Sequence, residues 1–224
     1  MIFIEATTLN KLVQSSSLCK IFSDSWTKCY TSVRPFNMAS KFYYFGFGSN
    51  MLAKRIHIQN PGADRVGPGK LQDYRLDFYN NSEKWNGAPA TIVPSKGDYV
   101  FGAIWEIDCC HLEDLDNQES VDSGVYTPIT LPVMCITLQK YIQCRAYHLC
   151  QQPQTDIKCI PEQQIPLDRL PSETYLKTLV KGALETGIPD EYVNFLRAIK
   201  HNRNRVKTLE SILELQDIKL AITP

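Results

Sequence analysis

The chain places its strand-like segments first and its longer helices last, and that order constrains the fold more than any other feature of the sequence. Strands followed by helices point to an α+β architecture rather than a doubly wound sheet. Residues 42–47 are a compact aromatic run ending at Gly48-Ser49-Asn50. Met51, Leu52, Ile56 and Gln59 then recur at helical spacing until Pro61 stops them, giving strand, tight turn and helix. Residues 74–79, 88–93 and 100–107 read as separate short strands, divided by the Gly, Asn, Pro and Asp clusters that make turns. A short acidic helix over 110–116 and two strands over 125–133 and 142–149 follow. Residues 151–171, rich in proline and glutamine and without periodicity, read as a surface loop.

The two late helices carry their own punctuation. Ser172 is placed to cap the first, whose apolar face is Tyr175, Leu176, Leu179, Val180, Ala183 and Leu184, and Gly187 stands where a left-handed C′ residue belongs. Pro189 opens the second, with Asp190 and Glu191 at the positive end of its dipole and Tyr192, Phe195, Leu196 and Ile199 facing inward. The apolar positions at Leu209, Ile212, Leu213 and Leu215 fit either a final docking helix or a frayed end.

Composition removes several function classes. Lysine plus arginine and aspartate plus glutamate both count 24, for a formal net charge of zero, and no basic stripe serves a nucleic-acid backbone. No apolar run approaches the ~18 residues that cross a bilayer. The eight cysteines form no C-x-x-C pair and no histidine stands at zinc spacing, so a metal site is not expected. Cys135 and Cys144 lie in apolar strand segments, where a reduced thiol acts as a small hydrophobe. That favours a reducing compartment, hence a cytoplasmic location.

Residues 1–40 differ from the rest: Ser/Thr-rich, with four cations against Glu5 and Asp24. They read as a poorly ordered extension ahead of an alternative start at Met38; a mitochondrial presequence over residues 1–37 is the competing reading. Residues 41–201 then form the folded domain and 202–224 a tail.

Gly46-Phe47-Gly48-Ser49-Asn50-Met51 has the setting of a dinucleotide fingerprint but Met51 where the third glycine belongs, and no Gly-Lys-Ser/Thr follows. Ser49 is not in a G-x-S-x-G context either. What survives is a turn whose accessible N–H groups form a receptor for a carboxylate or oxyanion. Glu119 closes an acidic segment, where most glutamates are solvated, and Tyr126, Tyr147 and Tyr175 are by type core aromatics.

Over roughly residues 42–200 the chain resembles the γ-glutamylcyclotransferase family. The resemblance runs through Phe45-Gly46-Phe47-Gly48-Ser49-Asn50, Arg55-Ile56-His57, Leu71-Gln72-Asp73-Tyr74, Gly102-Ala103-Ile104-Trp105, Leu115-Asp116-Asn117-Gln118-Glu119, Ser123-Gly124-Val125-Tyr126, Cys144-Arg145-Ala146-Tyr147 and Gly187-Ile188-Pro189 in that order. It implies a small mixed β-barrel with surrounding helices. It also implies a cofactor-free enzyme of γ-glutamyl and glutathione metabolism that cyclises γ-glutamyl amino acids to 5-oxoproline, and a homodimer. Glu119 would be the acid/base. Tyr44, Phe45, Gly46, Phe47, Gly48, Ser49 and Asn50 would cradle the substrate, with Tyr126 lining and Tyr175 closing the pocket. Two departures stand in the cradle: Phe47 replaces the usual tyrosine and Gly46 the usual alanine. They leave open a paralogue with altered specificity or a non-catalytic γ-glutamyl binder. A glutathione-specific cyclotransferase is a separate alternative, ranked lower because such enzymes do not generally share the Ser49-Asn50 ending of the turn or the Gly187-Ile188-Pro189 segment.

Overall fold

The structure is a computed structural model that describes residues 40–221. The extension read at residues 1–40, with its alternative start and presequence reading, lies outside the described residues except for Ser40.

Five strands close into a barrel: β1 (Lys41–Gly46), β2 (Asp64–Phe78), β3 (Ala90–Asp108), β4 (Tyr126–Cys135) and β5 (Lys140–Leu149). Their order around it is β1-β3-β2-β4-β5. Neighbours are antiparallel except β1 and β5, which run parallel where Tyr44 stands beside Arg145. The barrel is therefore mixed, and its closing seams are short: two residue pairs join β2 to β4, Gly69–Cys135 and Lys70–Met134, and one joins β1 to β5. Tyr44 and Phe45 are buried near the end of β1 because the strand is covered on both sides there.

The segments 88–93 and 100–107 are parts of one strand, not two. Between the pairs Tyr74–Pro94 and Gln72–Tyr99, residues 95–98 stand opposite Asp73 alone. This is a β-bulge, in which a Pro/Gly/Asp cluster bends the ladder without reversing it. Asp73 has φ +63° and Gly97 φ +90°, and Gly97 N donates to Asp73 Oδ1 at 2.8 Å, stitching the bend.

The helical part begins directly after β1, with a single 3-10 turn at Ser49–Met51 and one turn of α-helix, α1 (Ala53–Ile56). Helix α2 (Leu112–Gln118) follows β3. In place of a featureless loop, residues 151–171 hold three 3-10 turns, Ile157–Cys159, Glu162–Gln164 and Leu167–Arg169. Arg169 pins the last of these to β2: its Nη2 lies 2.7 Å from Asp77 Oδ1, while Arg75 Nε holds Asp77 Oδ2 at 3.1 Å. All three side chains are buried.

Helix α3 (Glu173–Thr186) starts where Ser172 Oγ accepts from Tyr175 N at 3.1 Å and ends at Gly187, φ +74°. It is buried nearly all round, between the barrel and α4 (Asp190–Ala198), so one-sided periodicity understates its contacts. Leu184, expected inward, is 44% exposed, and Phe195 on α4 is 36% exposed while Val193 is buried. On α4 the inward face is Tyr192, Val193 and Leu196, and Phe195 packs at its rim against Tyr192, ring centroids 5.3 Å apart. The tail docks: α5 (Lys207–Ile212) leads into buried Leu213 and Leu215, and buried Glu210 accepts from Thr174 Oγ1 of α3 at 2.8 Å.

Candidate active site

The end of β1 turns sharply, and two side chains grip the turn from behind, Trp105 buried and Arg65 half-buried. Trp105 Nε1 donates to Asn50 O at 3.0 Å, and Arg65, stacked over the Trp105 ring at 4.6 Å, donates to Met51 O at 2.9 Å. Helix α3 presses on the same turn through Gly182, where a Cβ would come within 2.6 Å of Leu52 N. With its carbonyls held at the back, the turn presents Gly48, Ser49 and Asn50 to a cavity of about 380 Å³, within the size range of small-molecule sites. No backbone carbonyl among the described residues takes the N–H groups of these three residues, as expected where a helical turn begins.

Glu119 enters this cavity from the far end of α2, where it is the C-terminal cap residue. Two sets of contacts fix it. Three residues earlier, Asp116 is clamped by Arg145 of β5 in a forked ion pair, Nη2 to Oδ1 2.7 Å and Nη2 to Oδ2 2.8 Å, with the Tyr147 hydroxyl on the same carboxylate. That clamp ties α2 to the strand that closes the barrel beside Tyr44. Within the cavity, Asn50 Nδ2 donates to Glu119 Oε1 at 2.7 Å, and the Tyr44 hydroxyl lies 3.4 Å from the same oxygen.

Asn50 is itself oriented by a chain of amides: Asn60 Nδ2 donates to Gln118 Oε1 at 3.0 Å, and Gln118 Nε2 donates to Asn50 Oδ1 at 2.8 Å. With its oxygen taken, the amide must offer its NH₂ to Glu119. Removal from water pushes the Glu119 carboxyl up to about 7, against the opposing pull of the Arg55 guanidinium, the Tyr44 hydroxyl, the Lys84 ammonium and the Asn50 amide. Desolvation outweighs two cations and two hydrogen bonds. The result is a carboxyl able to take and return a proton near neutral pH.

The roof comes from α3 and β4. The Tyr175 hydroxyl accepts from Ala90 N at 3.1 Å, and the Tyr126 hydroxyl donates to Ala90 O at 3.1 Å, so one residue of β3 is held from both sides. Burial pushes the Tyr175 phenol up to about 12 and that of Tyr126 well above its ordinary value, so both stay protonated. Gly48 lies under Tyr175, whose hydroxyl would be 2.9 Å from a Cβ there.

Tyr44, Phe47, Gly48, Ser49, Asn50, Glu119, Tyr126 and Tyr175 thus share one cavity wall, whereas Phe45 and Gly46 do not line it. Phe45 is fully buried in the core beside Phe47, and Gly46 lies against the backbone of Asn50. The cavity has further lining residues to which the sequence alone gives no role, among them Arg55, Lys84 and Gln118. Arg55 carried a signal: it shares the 51, 52, 55, 56 spacing with Met51, Leu52 and Ile56, and a charge on a buried face needs a reason. It is only 6% exposed, and its Nε and Nη1 have no hydrogen-bond partner among the described residues.

Residues 99–196 match the AIG2-like family. The chain is 39% identical over 181 residues to a γ-glutamylcyclotransferase of Bos taurus, an alignment covering 79% of this chain and 87% of the bovine one. It is likewise 39% identical over 181 residues to the Homo sapiens γ-glutamylcyclotransferase. A solved γ-glutamyl cyclotransferase, 35% identical, superposes with a TM-score of 0.68 over 78% of this chain and 99% of the other. Likeness of this extent, over a barrel of the same build, places the chain in the γ-glutamylcyclotransferase family.

Proposed function

We propose that the chain cyclises γ-glutamyl amino acids to 5-oxoproline, releasing the free amino acid, with Glu119 as acid and base. The observation that carries this reading is a carboxyl pushed to about 7 and held by Asn50 at 2.7 Å beside the glycine turn. The curated relatives named for this activity support the reaction class.

The chemistry needs only these groups. The substrate's α-ammonium loses a proton to Glu119, and the freed amine attacks its own γ-carbonyl, forming the lactam C–N bond. The amide bond to the departing amino acid then breaks. Two protons pass in all from the attacking to the departing nitrogen, leaving a lactam N–H and an ammonium, with no water consumed. Because the reaction is intramolecular, the enzyme's task is to hold the chain folded and to move those protons. With Arg55 as the deep cation beside Glu119, the α-carboxylate goes to its guanidinium, which leaves the amides of Gly48, Ser49 and Asn50 for the developing oxyanion.

Phe47 supports a second reading. It brings a phenyl ring to the cavity wall where the family's tyrosine brings a hydroxyl, and this favours a shifted substrate choice. Incubation of the pure chain with γ-glutamyl-alanine, and with glutathione in parallel, tests both. Release of 5-oxoproline from the dipeptide is expected; release from glutathione alone moves the assignment to the second reading, and no product from either rejects catalysis.

A further inference from the structure

The charges around the cavity do not cancel. Among the described residues that line it, Glu119 is the one carboxylate, and Arg55 and Lys84 are the cations. Neither cation has an ion-pair partner among the described residues. Unpaired cations that converge on a cavity call for anions from the ligand. A ligand with one ammonium and two carboxylates matches the set charge for charge.

Depth assigns the partners. Arg55 is buried on the helix behind the turn, whereas Lys84 is exposed on the connection between β2 and β3, at the mouth. The γ-glutamyl end must lie deep, where Glu119 can reach its amine, so the second carboxylate, on the departing amino acid, faces the mouth. Lys84 is not carried on a loose loop. Ser82 and Gly87 form a β-bridge, and Asn86 N donates to Ser82 O at 2.7 Å. Asn202 and Asn204 hold Asn86 O at 2.9 and 3.1 Å, and Ala88 N donates to Leu170 O at 2.9 Å. The next residue, Trp85, is buried edge-on against Tyr175, centroids 4.9 Å apart. Partial burial, reinforced by the Arg55 charge and opposed by Glu119, lowers the Lys84 ammonium from its ordinary value, which accords with its facing both groups across the cavity.

We propose that Lys84 receives the carboxylate of the departing amino acid, and so selects γ-glutamyl compounds that carry a free carboxylate next to the scissile nitrogen. The inference rests on the reading of the site as a cyclotransferase centre. It makes γ-glutamyl amines and amides poor substrates, and it disfavours glutathione, whose terminal carboxylate stands one residue farther out.

The test compares kcat/KM for γ-glutamyl-alanine and the uncharged γ-glutamyl-alaninamide in the wild type, Lys84→Met and Lys84→Arg, with folding monitored by circular dichroism. The wild type is expected to favour the acid by about tenfold, the low end for a hydrogen bond to a charged group, mainly through KM and less so at high salt. In Lys84→Met the preference should fall to about one, because the KM for the acid rises; Lys84→Arg should keep most of it. An undiminished preference in Lys84→Met overturns the proposal. Equal use of both substrates by the wild type, with 5-oxoproline released, overturns it while leaving the cyclotransferase reading in place. No 5-oxoproline from either overturns both.

Discussion

Asn50 donates its side-chain amide to the Glu119 carboxyl at 2.7 Å, although the two residues are 69 positions apart. The contact joins the end of the first strand to the end of a helix that leaves the third, so the barrel must close before the site exists. Asn50 is also the last link of a polar chain from Asn60 through Gln118, which fixes both its position and which way its amide faces.

Replacing that amide by a carboxylate should therefore be read out as a pH shift. In Asn50→Asp a second negative charge faces Glu119 in place of a donor, and both changes disfavour the ionised glutamate. Its pKa should move above about 7. Since the ionised form is the base, the acid limb of the kcat/KM profile should move to higher pH and activity at pH 7 should fall. An unmoved limb would count against contact between the two groups.

Glu119 should also cost stability at high pH. Its folded pKa, about 7, lies above the ordinary 4.5, so the folded protein holds this proton longer than the unfolded chain does. Its contribution to stability is fully present below about pH 4.5 and is lost as pH rises through about 7. Glu119→Gln removes the buried charge, so its Tm should exceed that of the wild type at pH 8, with the difference shrinking toward pH 5. A difference independent of pH would place the carboxyl in solvent.

The buried triad of Arg75, Asp77 and Arg169 predicts a change unrelated to catalysis. Asp77 is fully buried between the two guanidinium groups, and Asp77→Ala would remove their shared counter-charge. Loss of one partner from a buried ionic group costs about 3–5 kcal/mol. Denaturant unfolding should show the midpoint falling accordingly, and a loss below about 1 kcal/mol would mean that water reaches the cluster.

Local chemistry made part of this structure legible in the sequence. Ser172 and Gly187 mark the ends of α3 because a hydroxyl cap and a left-handed glycine act within a few residues. The aromatic strand with its glycine turn was legible for the same reason. The long β2–β3 hairpin was not: the residues that make its bulge, Asp73 and Gly97, are those that would also end a strand, and only pairing tells the two apart. Closure of the barrel at Tyr44 and Arg145 is likewise a long-range fact. Arg55 stood on an apolar helical face and could have been singled out; Lys84, in a turn without periodicity, offered no such signal. Glu119 stood out only through the family resemblance, because its burial depends on three other segments.

The most direct measurement is the rate of 5-oxoproline formation from γ-glutamyl-alanine by the wild type and by Glu119→Gln, with both shown to be folded. The variant keeps size and hydrogen-bonding capacity but loses the base. Turnover should fall by about 10² to 10⁴, whereas near-wild-type turnover in the folded variant would contradict the assignment of Glu119 as the proton-transfer group.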